Sequence, residues 1–125
     1  MFRKIAYWAT TVVIVVLSAM AGIMYLSGAG SAVEGFAHVG YPQQLRVILG
    51  VAKLAGAITL IVPGLRLAKE WAYAGFAFAW IAAFFAHWLA GDGIQSVSPL
   101  VLLLFLIVSY LTRPPTHRLA TAALT

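Results

Sequence analysis

The sequence contains no cysteine among its 125 residues. This absence excludes disulfide exchange, thiolate metal sites and cysteine nucleophiles. It also removes the paired cysteines with which four-helix membrane proteins pass electrons between thiols and quinones. The sequence lacks an HExxH motif, a phosphate-binding glycine-rich loop, a GxSxG motif and a dinucleotide fingerprint. No motif therefore supports a hydrolase or a nucleotide-dependent function. No residue can be assigned a catalytic role.

Charged residues are also scarce. Only 9% of the residues are charged and 63% are hydrophobic, which is too little polar surface for a soluble globular domain. The formal net charge of +5 comes from basic residues scattered in ones and twos beside apolar runs. This pattern indicates orientation in a lipid bilayer rather than binding to nucleic acid.

The apolar runs predict an all-α fold, an integral membrane four-helix bundle. Its transmembrane domain covers residues 1–113, with spans at about 5–27, 42–62, 69–90 and 97–112. The first run is too long for the apolar segment of a signal peptide and reaches the length of a span. On it, one helical face carries small and hydroxyl-bearing residues that we expect to face the bundle: Tyr7, Thr11, Ser18, Gly22 and Tyr25.

The end of the chain leaves one boundary open. Ser98 and Pro99 can begin the fourth span as cap and first turn, whereas Asp92 with Gln95 offers an earlier start. Pro114-Pro115 stops this helix, and residues 114–125 are predicted to form a poorly ordered cytoplasmic tail.

The connection between the first two spans is predicted to hold a short interfacial helix, from about 32 to 39. Ser31 and Glu34 have the spacing of a capping box, Gly40 suits the position just past a helix end, and Pro42 suits the first turn of the next span. Glu34 and His38 are four residues apart, so a carboxylate and an imidazole share one helical face. They are interpreted either as a surface pair that anchors the loop or as a functional pair.

Lys53 lies inside the apolar run ILGVAKLAGA of the second span. An ionisable residue in hydrocarbon is costly, so it needs a partner, a wet cavity or a function. Gly50, Gly56 and Ala57 share its face and would allow another helix to come close. Arg46 lies seven residues earlier on nearly the same face. Lys53 is therefore expected to reach back to the headgroups, to form an internal ion pair or to contact a ligand.

His87 stands near the far end of the third span. Its helical face includes Phe76, Trp80 and Ala83, which predicts an aromatic groove with a titratable group at its mouth. Such a groove suits a planar ring, although packing with an interfacial histidine explains the same pattern.

Basic residues predict the orientation of the chain. With four spans, six of them fall on one side: Arg3, Lys4, Arg66, Lys69, Arg113 and Arg118. Both termini are then cytoplasmic, in a multi-pass protein of the cell inner (plasma) membrane. The opposite half would hold an outward-opening polar pocket, in which opposite charges near Lys53 keep it protonated. The candidate ligand-binding residues are Lys53, His87, Glu34, His38, Trp80, Arg46 and Asp92. No metal site is predicted.

The strings GFAHVGYP, ILGVAKLAGA, KEWAYAGFAF and AHWLAGD occur in this order among the four spans. The chain resembles the DoxX-like family of small membrane proteins over most of residues 1–113. Some relatives resemble the small subunit of a thiosulfate:quinone oxidoreductase, and the resemblance implies a link to the quinone pool. The lysine of VAKLAG and the histidine of GFAH, Lys53 and His38, match the family-like strings.

Two function classes remain open. In the first, the chain is a quinone-linked or oxidoreductase-associated membrane subunit in which Lys53 or His87 bonds a quinone carbonyl. In the second, it is a non-catalytic interaction or lipid-binding protein. The partners expected are a membrane oxidoreductase subunit or further copies of the chain. Haem binding by His38 and His87 is a minor third hypothesis. Transport has little support, because no inverted repeat or broken helix pair is evident.

Overall fold

The computed structural model describes residues 1–118, and these residues are folded into helices joined by short connections. Four of the helical segments are long and apolar enough to cross a membrane, so the predicted four-helix membrane bundle is confirmed. The α-helices are α1 Phe2–Ser27, α2 Gly30–His38, α3 Gln43–Ile61, α4 Arg66–Leu89 and α5 Ser98–Thr112. Two 3-10 helices follow α4 and α5, at Gly93–Val97 and Pro115–His117.

The four long helices close into a ring. Helix α1 packs against α3 and α5, and α4 packs against the same two neighbours. The start of α1, the α3–α4 connection and the end of α5 lie together, and we call this end of the bundle the terminal side. Helix α2 and the α4–α5 connection lie at the opposite end, the far side.

Glycines set the distance between helices at two crossings. A Cβ atom built on Gly50 would lie 2.9 Å from Leu26 Cγ and 3.0 Å from the Tyr25 Cβ, so α1 and α3 are in close contact there. A Cβ atom on Gly56 would lie 2.8 Å from the Phe76 ring of α4. The prediction that small residues on the Lys53 face admit neighbouring helices is thereby confirmed.

The predicted polar stripe of α1 also faces the bundle. Four of its five members are buried, and Tyr25 is half-buried. The apolar core beside this stripe joins residues from all four long helices: Ile14, Leu60, Tyr73, Phe76, Trp80 and Leu106. Many other large apolar side chains point outward, as in a helix bundle whose solvent is lipid.

Helix α2 occupies the predicted position but begins differently from the expectation. Its N-cap is Ala29 and no side chain caps it, so the predicted capping box of Ser31 and Glu34 is wrong. Helix formation starts one residue before Ser31, which places that side chain inside the first turn. Gly40 follows the helix with φ 81°, a conformation that glycine adopts at little cost, so its predicted role is confirmed.

The fourth span combines both predicted starts. A 3-10 helix capped by Asp92 leads directly into α5, whose second residue is Pro99. Helix α4 begins at Arg66, three residues before the predicted start of the third span. This earlier start places Lys69 within the first helical turn.

Part of the predicted tail is ordered. The 3-10 helix Pro115–His117 packs against α4, and the Tyr7 hydroxyl hydrogen-bonds His117 Nδ1 at 2.8 Å. The prediction of poor order is therefore wrong for residues 114–118. Its remainder, residues 119–125, lies outside the described part of the chain.

Candidate functional site

Lys53 is the eleventh of the 19 residues of α3, so its backbone lies midway along a span. Its ammonium nitrogen lies 5.8 Å from the centre of the Tyr25 ring and 5.8 Å from that of Trp80. A cation within about 6 Å of an aromatic face is attracted by the electron density of the ring. Two such rings, one from α1 and one from α4, therefore hold the lysine side chain inside the far half of the bundle.

The Lys53 ammonium has no hydrogen-bond acceptor among residues 1–118, and no carboxylate of these residues lies within 4.0 Å of it. The alternative of an internal ion pair at Lys53 is therefore wrong for the described residues. Among residues 1–118, the fully buried side-chain polar atoms without a partner are Ser18 Oγ and Arg113 Nε. The Lys53 ammonium is not one of them, so part of its surface is accessible. A hydrogen-bond donor midway along a span thus remains without a partner among these residues.

The predicted aromatic groove on α4 is filled by the protein itself. The rings of Phe76 and Trp80 are stacked, with centroids 5.2 Å apart and an interplanar angle of 21°. Both side chains are buried, and Phe76 extends into the space left by Gly56. The expectation of an open slot along Phe76 and Trp80 is therefore wrong, although Trp80 still faces Lys53.

A second polar group closes the far side. Asp92 lies between two histidines, with Oδ1 2.6 Å from His38 Nε2 and Oδ2 2.6 Å from His87 Nδ1. We call these three residues the far-side clasp. Two hydrogen bonds lower the pKa of the Asp92 carboxyl below its ordinary value of 3.8. The bond from His87 has the larger effect and the bond from His38 the smaller one.

The far-side clasp replaces the pair expected on α2. His38 bonds Asp92, which is 54 residues away in sequence, and Glu34 is exposed with no hydrogen bond or ion pair among the described residues. The predicted pairing of Glu34 with His38 is wrong. Contact with Asp92 has an advantage over that pair, because one carboxylate can accept from both imidazoles.

Helix α2 connects the far-side clasp with the lysine. Phe36 of α2 packs edge to face against Tyr25, with ring centroids 5.1 Å apart, and the Tyr25 ring contacts Lys53. The Gln43 side chain donates to the Val33 carbonyl at 3.1 Å, which ties α2 to α3. A movement of α2 would therefore reach the surroundings of Lys53.

The Arg46 side chain bonds to other groups of the protein and so has a structural role. Its Nε donates to Gln43 Oε1 at 2.8 Å, and its Nη1 donates to the Tyr25 carbonyl near the end of α1. A cation at a helix C-terminus satisfies carbonyls that have no partner within the helix. The structure thus brings His38, His87 and Asp92 together, places Lys53 and Trp80 side by side, and leaves Glu34 and Arg46 apart from both.

The sequence analysis missed a buried hydroxyl network in the terminal half. The Ser109 hydroxyl lies 2.6 Å from Thr11 Oγ1 and 2.7 Å from the Tyr73 hydroxyl. All three side chains are buried, and they join α1, α4 and α5. Thr11 was predicted to face the bundle, but its partner is 98 residues away, a separation that no local pattern reveals.

A second missed feature is the role of Lys69, which was counted only among the basic residues that orient the chain. Its side chain is 1% exposed, and its ammonium donates to the Thr59 carbonyl at 2.5 Å and to the Val62 carbonyl. Both carbonyls belong to the end of α3. Lys69 therefore caps that helix from the neighbouring one.

The terminal half also contains an ion pair between Glu70 and Arg113. Glu70 accepts from Arg113 Nη2 at 3.0 Å and from the Tyr110 hydroxyl at 2.9 Å. The guanidinium carbon of Arg113 lies 3.7 Å from the centre of the Tyr110 ring. These contacts fix the start of α4 to the end of α5.

The sequence matches one known family of proteins. The model of the DoxX-like family matches residues 9–109. The chain belongs to the DoxX-like family. The matched range of this DoxX-like protein includes Lys53, Trp80 and the far-side clasp, and it ends before Arg113. No curated protein and no solved structure matches it.

Within residues 1–118, no group of three or more histidine, cysteine or acidic side chains has a geometry that could hold a metal ion. In the far-side clasp, each histidine turns one ring nitrogen to Asp92. The carboxylate thus occupies the space between the imidazoles. The haem hypothesis gains no support from this arrangement.

Proposed function

We propose that this DoxX-like protein is a quinone-linked, oxidoreductase-associated membrane subunit that binds a quinone head group beside Lys53. The observation that carries the proposal is the Lys53 ammonium, which has two aromatic neighbours and no acceptor among the described residues. A quinone carbonyl is a neutral acceptor that is soluble in the bilayer. It would supply the missing hydrogen bond without bringing a second charge into hydrocarbon.

The surroundings of Lys53 suit a flat, apolar ring. The half-buried Tyr25 offers aromatic surface beside the ammonium, and the buried Trp80 ring contacts the ammonium from the core. Aromatic side chains commonly line sites for planar ligands. Because the lysine is half-buried, a ligand dissolved in the bilayer can approach without separating the helices. The far-side clasp would hold α2, and through Phe36 the Tyr25 ring, in place over this site.

In this proposal the chain binds and orients the quinone, and a partner oxidoreductase supplies the electrons. The sequence contains no cysteine, so a thiol–disulfide couple of this chain does not provide them. We place the terminal side in the cytoplasm, because this side carries most of the basic residues. The site is then in the outer half of the membrane.

The test is mass spectrometry of the small molecules retained after gentle detergent purification. Wild-type protein should retain quinone, and Lys53→Met should lose it, because methionine fills a similar volume but donates no hydrogen bond. Lys4→Met is the matched control. It makes the same exchange at an exposed residue of the terminal side and should retain quinone like the wild type.

Two outcomes would contradict the proposal. If Lys53→Met and wild type retain equal amounts of quinone, Lys53 is not in the site. If no variant retains quinone but the wild type copurifies with one defined membrane protein, the chain is a non-catalytic interaction subunit, the second function class.

A further inference from the structure

A large groove lies at the terminal side, far from Lys53. It has a volume of about 650 Å³ and runs between the first two turns of α1 and the segment that follows α5. This volume is within the range of about 300 to 1,000 Å³ that is usual for small-molecule sites. The groove is therefore large enough to hold a ligand head group.

The groove is cationic. Arg3, Lys4 and Arg118 line it, and no carboxylate of residues 1–118 does. The one acidic residue among those described on this side, Glu70, is already paired with Arg113. Such a groove favours an anion, because no carboxylate of the described residues offsets the three positive charges.

The three cations have donors to spare. Among the described residues, Lys4 makes no side-chain hydrogen bond, and it is exposed. Arg3 uses Nη2 to reach the Leu111 carbonyl at 3.1 Å, and Arg118 uses Nε to reach the Arg113 carbonyl at 2.9 Å. These two bonds position the guanidinium groups and leave further N–H donors for a ligand.

Apolar side chains line the groove beside the cations. Trp8 is 40% exposed and packs edge to face against Tyr7, with centroids 5.0 Å apart. Pro114 and Pro115 line the groove from the segment that follows α5, and the hydrogen bond between Tyr7 and His117 joins this segment to α1. A lining that combines cationic and apolar side chains suits an amphiphile.

The depth of the groove in the bilayer indicates which class of amphiphile it would bind. Helix α1 has 26 residues, which at 1.5 Å per residue is about 39 Å. The hydrocarbon core of a bilayer is about 30 Å thick, so one end of α1 extends into the headgroup layer. A tryptophan at a helix end is typical of this layer. At that depth, phosphate groups of lipids are the abundant anions.

We propose that this groove is a binding site for the phosphate-bearing head group of an anionic phospholipid, with Arg3, Lys4 and Arg118 as its donors. The site is independent of Lys53 and of quinone binding. It assigns to the terminal side a lipid contact that the bundle holds at one defined place.

Native mass spectrometry of the full chain can test this site, with phosphatidylglycerol and phosphatidylcholine added in equal amounts. The wild type should retain phosphatidylglycerol preferentially. Lys4→Gln should weaken this retention about fivefold, the effect of one basic residue at an anionic surface. Arg66→Gln is the control, because Arg66 is an exposed cation of the same side that does not line the groove. Its Nε donates to the Thr116 carbonyl at 3.1 Å, and the glutamine amide nitrogen keeps a donor at the same place in the side chain. This variant should bind like the wild type.

Three results would overturn the proposal. Equal retention of the two lipids would remove the charge requirement, and an equal loss in Arg66→Gln would mean diffuse attraction to the whole surface. Displacement of phosphatidylglycerol by inorganic phosphate at an equal concentration would mean that the groove binds free phosphate instead. Quinone retention, measured on the same Lys4→Gln sample, should be unchanged, so this test and that of Lys53 fail separately.

Discussion

Each half of the bundle contains an embedded lysine, and the two lysines differ in whether their ammonium groups are hydrogen-bonded. In the terminal half, Lys69 is 1% exposed and its ammonium is bonded to the Thr59 and Val62 carbonyls. In the far half, Lys53 is half-buried and faces two aromatic rings, with no acceptor among the described residues. A satisfied cation stabilises the fold, whereas an unsatisfied one is costly and therefore indicates a function.

The other polar side chains divide less completely, since the buried Arg113 Nε in the terminal half has no partner among residues 1–118. The terminal half contains hydrogen-bonded groups that join three helices, as Ser109 does with Thr11 and Tyr73. The far half has its polar bonds at the edge, in the far-side clasp and at Arg46. We infer that the terminal half acts as the rigid part of the molecule and the far half as the ligand-binding part.

Exchanging each lysine for methionine tests this comparison with the largest expected effect. Lys69→Met should lower the free energy of unfolding by about 2 to 4 kcal/mol, because two carbonyls at the end of α3 lose their donor. Lys53→Met should leave stability unchanged or raise it, since it removes a charge that the protein does not pair. Thermal unfolding in detergent measures both. Equal losses in the two variants would contradict the comparison.

Ser109→Ala should have the next largest effect. It removes a hydroxyl that bonds both Thr11 and Tyr73 within the bundle, and we expect a loss of about 1 to 2 kcal/mol. Ser27→Ala is the control, because the Ser27 hydroxyl is exposed and bonds a carbonyl of its own helix. If the control loses as much stability as Ser109→Ala, the buried network does not make the terminal half rigid.

Gly50→Ala should cost about 1 kcal/mol, because its new methyl group would lie 2.9 Å from Leu26 Cγ and force α1 and α3 apart. Gly75→Ala is the matched control in α4, where nothing lies within 4 Å of the added methyl group. Alanine is the better helix former, so this variant should be as stable as the wild type or slightly more stable. Unfolding temperatures of the two variants decide whether close helix contact matters.

The smallest effect is expected at the far-side clasp and depends on pH. Because the fold lowers the pKa of Asp92, its stabilising contribution is complete above the ordinary value of 3.8. It is lost as the pH falls through the lowered value. The unfolding temperature of the wild type should exceed that of Asp92→Asn by a few degrees at neutral pH.

This difference between wild type and Asp92→Asn should vanish in strong acid. Glu34→Gln is the control, since Glu34 is exposed and forms no ion pair among the described residues, and it should match the wild type throughout. A difference between wild type and Asp92→Asn that persists in strong acid would mean that the ionised carboxylate is not what stabilises the clasp.

Local patterns in the sequence predicted what depends on local spacing. The spacing of Tyr7, Thr11, Ser18 and Gly22 identified the buried face of α1, and Gly50 and Gly56 identified the close contacts of α3. Embedded charge in an apolar run correctly marked Lys53 as a residue inside the bundle. These features follow from helical geometry and need no knowledge of the tertiary fold.

Contacts between distant segments could not be predicted in this way. The i, i+4 spacing of Glu34 and His38 suggested a local pair, but Asp92 was able to bond two histidines at once. Lys69 was placed at the predicted start of the third span and counted only as an orienting charge, whereas α4 begins at Arg66 and Lys69 is buried within its first turn. Which polar groups meet depends on how the helices pack, and a single sequence does not specify that packing.

The most direct test of a ligand site beside Lys53 is the shift in unfolding temperature when quinone is added to protein stripped of bound lipid. A ligand that binds only the folded state stabilises it, by about 2.7 kcal/mol at a free concentration of one hundred times its dissociation constant. We predict a concentration-dependent rise for the wild type and for Lys4→Met, and none for Lys53→Met. An equal rise in all three proteins would contradict the account, because quinone would then bind without the unpaired lysine.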